Sequence, residues 1–264
     1  MAEQEEALKS TRRTAQEILA QVKQNGEDEL RRSTKALLFS GVAGGMVMGL
    51  TGLSVAISKA LLGDGRVPDF VAHLFYPVGF ISVIIGRSQL FTENTLYAVV
   101  PVLDERKNIA NMLRLWGAVF FANVLGAVLF ALLLTGTPAL MPNFSEELLK
   151  LGLEAIGSSA SNIFWSGVIG GWLIALVAWI VSASHWTIGQ IVIVWLLTFI
   201  VGIGRFAHCI ATSGEILAGV VNGIVPVMTY LHWLLFATLG NILGGVFIVT
   251  VLNYGQVVAG EHGP

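Results

Sequence analysis

An arginine, a histidine and a glutamate interrupt an otherwise apolar run from Trp186 to Tyr230, in the stretch Ile203-Gly204-Arg205-Phe206-Ala207-His208-Cys209-Ile210-Ala211-Thr212-Ser213-Gly214-Glu215. A second apolar run carries Arg87-Ser88-Gln89 and, after Leu90 and Phe91, Thr92-Glu93-Asn94-Thr95. Ionisable groups at bilayer depth cost roughly 2.5–3.5 kcal/mol each on insertion scales, so they are kept chiefly where a solute or proton passes. The chemistry within reach is acid–base. An anion crossing a dry constriction loses its hydration at a cost of several kcal/mol, whereas its conjugate acid loses far less. A histidine, with an ordinary pKa of about 6.5, can lend that proton or, when charged, pair with the anion. His208 is the candidate for this role; the alternative is a neutral, hydrogen-bonded packing histidine. Arg87 and Arg205 either draw anions toward the path or lock the chain through Glu93 and Glu215, since a buried guanidinium needs a carboxylate partner.

These residues need a membrane around them. The 264 residues are 55% apolar and only 12% charged, with mean hydropathy +0.75, against about 25% charged in soluble domains. The net charge of −2 gives no basis for nucleic-acid binding, and the single cysteine, Cys209, excludes an internal disulfide or a cysteine metal cluster. Cys209 reads as a small buried hydrophobe. There is no paired carboxylate site, nucleotide loop or nucleophile elbow, so neither an enzyme nor a bound cofactor is expected.

Six apolar segments, about 36–61, 70–102, 109–135, 158–183, 187–218 and 228–253, approach or exceed the ~20 residues that span hydrocarbon. They form a membrane domain over 36–255, between a polar leader at 1–35 and a tail at 256–264. In the leader, Ala15, Ile18, Leu19 and Val22 draw one apolar stripe, as in an amphipathic helix against the bilayer surface or the protein's own cytoplasmic face. A solvated leader is the alternative. It has no short apolar signal region, so the first span is expected to direct insertion. With the N-terminus inside, ten Lys and Arg lie on the cytoplasmic side, including seven in the leader and Arg106, Lys107 and Arg114, against Lys59, Arg66 and Lys150 outside. The positive-inside rule then puts both termini in the cytoplasm. His73, His185 and His232 fall near span ends or turns and read as interfacial.

The run from Val71 to Leu103 would be about 50 Å long as one helix, against ~30 Å of hydrocarbon. Its central polar cluster predicts two half-helices around a mid-membrane break near 88–94, and the fifth segment a break near 208–214. The halves also repeat. Ser40-Gly41-Val42-Ala43-Gly44-Gly45 recurs as Ser166-Gly167-Val168-Ile169-Gly170-Gly171, Asn123-Val124-Leu125-Gly126 as Asn241-Ile242-Leu243-Gly244, and Gly86-Arg87 as Gly204-Arg205. Three spans per half force the second half upside down, which gives an inverted repeat over about 36–135 and 158–253 with its site at midplane. Gly41, Gly45 and Gly49, and again Gly167 and Gly171, predict close helix packing.

Leu90-Phe91-Thr92-Glu93-Asn94 and Phe206-Ala207-His208, with Trp116, Asn123–Gly126 and Leu239–Gly245 in the same order, resemble the formate/nitrite transporter family over roughly 34–255. The resemblance implies an aquaporin-like fold of six membrane helices, the second and fifth broken, assembled as a homopentamer that passes small monovalent anions such as formate or nitrite through each subunit. His208 then corresponds to the central pore histidine and Leu90, Phe91 and Thr92 to the mobile gating loop. Tyr76 and Phe80 fall near the outer constriction positions. The chain departs from the family pattern where the acids before the loop Leu and before the His are Gln89 and Ala207, and where the fourth helix lacks its lysine. Its asparagine positions align with Gly171 and Thr212. A neutral-solute channel is a second reading, though paired Asn-Pro-Ala loops are absent; a non-conducting accessory subunit of an anion-metabolising enzyme is a third.

Overall fold

The computed structural model describes residues 13–105 and 108–261. The basic positions Lys9, Arg12, Arg106 and Lys107 lie outside them, as do most of the leader's first third and the last residues of the tail. The described residues are helical, with no strand among them.

Thr14 opens the first helix, α1 (Ala15–Arg31), with a capping box: its hydroxyl accepts from the Glu17 amide and its own amide donates to the Glu17 carboxylate at 2.6 Å. Val22, Gly26 and Leu30 face inward, and Val22 packs with Leu96, Val100, Ala178 and Trp179. The helix therefore lies against the body of the protein. Arg114 donates to the carbonyls of Leu30 and Arg32 at 2.8 and 2.9 Å, satisfying groups that a helix C-terminus leaves free. Lys23 pairs with Asp104, and that hydrogen bond raises the lysine pKa.

The chain continues through α2 (Thr34–Met48) and α3 (Leu50–Leu62), one apolar rod interrupted at Gly49, then α4 (Arg66–His73) and α5 (Pro77–Ile85). After a break come α6 (Asn94–Tyr97) and α7 (Val99–Glu105), then the 27-residue α8 (Ile109–Thr135). Next are α9 (Pro142–Ile156), α10 (Ala160–Ala183) and α11 (Thr187–Ile203). A second break precedes α12 (Ala211–Val221). The last rod is α13 (Val227–Leu243), a π-helical stretch Gly244–Val251 and α14 (Leu252–Glu261). Among the described residues, five helical rods are long and apolar enough to cross a membrane: Thr34–Leu62, Arg66–Ile85, Ile109–Thr135, Ala160–Ala183 and Val227–Gly260. The expected fifth span is divided into α11 and α12, each shorter than the others.

The glycine ridges bring two helix pairs into backbone contact. A Cβ on Gly45 would fall 2.0 Å from the Asn123 carbonyl oxygen, and one on Gly171 would fall 2.2 Å from that of Asn241. Thus α2 meets α8 as α10 meets α13. The connection expected over 136–157 is instead largely α9, which buries Phe144, Leu148, Leu151 and Gly152 against α12 and α3. Its polar face, with Glu146, Glu147 and Lys150, kept its hydropathy below that of a span.

Candidate functional site

Both breaks are made the same way. At the end of α5, Arg87 takes φ 59°, its amide donates to Ile84 O, and the Ser88 amide reaches back to Val83 O at 3.1 Å. At the end of α11, Arg205 takes φ 52°, its amide donates to Gly202 O, and the Phe206 amide reaches Val201 O at 3.0 Å. This is the Schellman stop, usually built on glycine at the left-handed position. An arginine there costs roughly 1–2 kcal/mol. The second break begins at Gly204, and α12 resumes at Ala211, so it lies earlier than the 208–214 expected from the polar residues. The left-handed Gly-Arg stop, rather than the histidine, sets its start.

Two buried asparagines hold the broken backbones. Asn123 Nδ2 donates to Gly41 O and Gln89 O at 2.7 and 2.9 Å, and its Oδ1 accepts from the Phe91 amide at 2.9 Å. Asn241 repeats the pattern: Nδ2 to Gly167 O and Ala207 O at 2.8 and 2.9 Å, Oδ1 from the Cys209 amide at 2.8 Å. The serine hydroxyls of Ser40 and Ser166 accept from the amides of Gln89 and Ala207. Each clamp supplies donors and acceptors that a helix would have supplied, which is what non-helical backbone at membrane depth requires.

The clamped loops meet at a polar pair. Thr92 Oγ1 lies 2.8 Å from His208 Nε2, and both residues are wholly buried. The Ala211 amide donates to His208 Nδ1 at 3.0 Å. That ring nitrogen is therefore an acceptor, the neutral imidazole carries its hydrogen on Nε2, and Nε2 donates to Thr92. The Phe80 ring stands edge-on to His208 with centroids 5.0 Å apart, and Tyr76 follows one turn away at 5.8 Å from Phe80. Phe91 turns its ring toward Trp116 and Phe120 of α8, at 5.7 and 5.1 Å, while Leu90 is buried. Of the six expected path residues, Thr92, His208, Phe80 and Tyr76 form one file, and Phe91 anchors the loop to α8.

A cavity of about 160 Å³ approaches this file from the α9 side, lined by Tyr76, Thr212, Glu215, Trp233, Arg205 and Glu154 among others. Here the proposed Arg205–Glu215 lock fails. Arg205 is half exposed and pairs with Glu154 and, at 3.4 Å, with Asp69. Arg87 is likewise exposed, and among the described residues it is in no ion pair within 4.0 Å. The left-handed stop turns both arginines out at the break, whereas Glu93 and Glu215 follow it and point inward, 9% and 8% exposed. His73 corrects a further expectation. It is buried rather than interfacial, lines the cavity, and donates from Nδ1 to Asp69 O at 2.7 Å. Asp69, Glu154 and the asparagine clamps carried no sequence-level role; the recurrence of Asn123 and Asn241 was the only signal for them.

Among the described residues, a helix-only architecture with five rods long and apolar enough to span a membrane, and two broken helices meeting at a buried polar pair, defines a multi-pass membrane protein. The model of the formate/nitrite transporter family matches residues 16–255. The "Inner membrane protein YfdC" of Escherichia coli (strain K12) is 34% identical over 246 residues, covering 92% of this chain and 79% of that protein. Among solved structures, an "FNT family ion channel" superposes with TM-score 0.79 at 22% identity, covering 92% of this chain and 98% of the other. A "Pentameric formate channel with formate bound" gives TM-score 0.71 at 17% identity over 85% of this chain and 98% of that one. The chain belongs to the formate/nitrite transporter family, a family of transporters and channels rather than enzymes.

Proposed function

We propose that this protein conducts small monovalent anions of the formate and nitrite class through a path in each subunit of a homopentamer, in the cell's inner membrane with both termini cytoplasmic. Six spans in two inverted three-helix repeats form each subunit. The matching stops, clamps and glycine contacts of the two halves support that arrangement. The exposed apolar faces, among them Phe121, Trp165 and Phe247, suit lipid or a neighbouring subunit.

The observation that carries the reading is the buried Thr92–His208 contact where the two breaks meet. With Nε2–H donated to Thr92, the threonine's own hydroxyl hydrogen is left to donate to an anion in the path. Loading a second proton onto His208 requires Nδ1, which the Ala211 amide occupies. Proton exchange at His208 is thus tied to loosening the first turn of α12. The file is closed in this conformation, and passage requires the Leu90–Thr92 loop to move away from His208. Formate and nitrite flux into proteoliposomes at two pH values tests the function: anion uptake is expected, and swelling with neutral solutes alone would support a neutral-solute channel instead. His208→Phe should abolish flux. His208→Asn should keep a polar group but lose the response to pH of flux at saturating anion. An unchanged pH response in well-folded His208→Asn would remove the histidine from proton handling.

A further inference from the structure

Glu215 is over nine-tenths buried, lines the α9-side cavity, and makes no hydrogen bond or ion pair among the described residues. The charged groups around it are already matched. Arg205 is taken by Glu154 and Asp69, Lys59 pairs with Asp69 at 3.1 Å, and His73 is bonded to the Asp69 backbone. From the elements packed on α12, Glu154 is the acid that α9 contributes, while α3 presents Gly52, α8 presents Phe130, and α13 offers Tyr230, which is bonded to Ser213. A buried carboxylate without a partner is far costlier than the neutral acid. The site therefore holds a carboxylic acid whose O–H faces the cavity without a hydrogen-bond partner among the described residues.

We infer that Glu215, as the neutral acid, is the capture residue for the anion on the α9 side, and that it sets specificity for carboxylate-like anions able to share its proton. This rests on the anion-path reading above. A formate oxygen accepts from the Glu215 O–H, a charge-assisted bond of the short, strong kind. Proton transfer then breaks the glutamic acid O–H bond and forms the O–H bond of formic acid, which proceeds toward Tyr76 as a neutral molecule. The glutamate left behind regains its proton from water at the cavity mouth. No redox step occurs.

The test is the half-saturating formate concentration for uptake from the α9 side, measured in sided proteoliposomes across a pH series for the wild type, Glu215→Gln and Glu215→Asp. Gln still donates an N–H but cannot ionise. In the wild type, half-saturation should rise roughly tenfold from mildly acidic to mildly alkaline pH as the acid becomes a carboxylate that repels the anion. Glu215→Gln should be flat, weaker than wild type in acid and tighter than it in alkali, so that the curves cross. Glu215→Asp, which keeps the acid, should retain the slope. Curves that run parallel, or a Glu215→Gln protein that is weaker at every pH, would overturn the capture role. If Glu215→Gln does not assemble, the Asp curve decides: a flat one overturns the proposal and a retained slope supports it. Wild-type vesicles with no formate flux at all would sink the anion-path reading instead, so the two failures are distinguishable.

Discussion

Replacing Asn241 by Asp changes one atom's chemistry at nearly constant shape, and so isolates the hydrogen bonding of the clamp from packing. The Oδ1 that accepts from the Cys209 amide is preserved, but Nδ2, which donates to Gly167 O and Ala207 O at 2.8 and 2.9 Å, becomes an oxygen facing two buried carbonyls. Each carbonyl left without a donor costs roughly 1–3 kcal/mol, and a protonated Asp recovers one of the two. The expected loss is therefore on the order of 1–3 kcal/mol. At about 2–4 °C per kcal/mol for a chain of this size, the melting temperature should fall by roughly 2–12 °C. Thermal unfolding of the purified protein in one fixed detergent reads this directly, and formate flux should fall with it because the 204–210 break loses its fastening. Asn123→Asp should behave alike, since its amide faces Gly41 O and Gln89 O in the same way. A melting temperature within about 2 °C of wild type, the range of an ordinary surface change, would refute the claim that these amides hold the breaks open.

Gly45→Ala and Gly171→Ala should each destabilise by about 1–3 kcal/mol, because the new methyl group meets an asparagine carbonyl at 2.0 or 2.2 Å and two helices must separate; thermal unfolding and the yield of assembled protein check both. Arg205→Gln should cost less than about 1 kcal/mol of stability, as expected for a half-exposed pair. It also leaves Glu154 uncompensated at the cavity mouth, with Asp69 keeping Lys59, so anion uptake should slow, and slow more at low ionic strength. Arg205→Gly should show the same kinetic defect yet melt higher than Arg205→Gln, because glycine removes the strain of φ 52°.

Much of this protein could be read along the chain because it is encoded by neighbours in sequence. The apolar runs, the polar clusters that interrupt them, the glycine ridges and the recurrence of Asn123 in Asn241 are all local patterns. The expectation that the two breaks face one another followed from the odd number of spans per half, and the structure brings Thr92 and His208 to 2.8 Å. What the chain did not reveal depends on how distant helices pack. Arg205 finds Asp69 at a separation of 136 residues and Glu154 at 51, rather than Glu215 ten positions on, because a left-handed stop turns the arginine outward while the next helix carries the glutamate in. The amphipathic α9 went unseen because a hydropathy reading weighs average polarity and not the face that meets α12. His73 looked like a residue at a span end, and only the packing of α4 against α3 and α11 buries it. Local sequence thus determined where the membrane segments lie and where they break. The tertiary structure decided which polar groups satisfy one another, since in a medium without water every such group must find its partner through space.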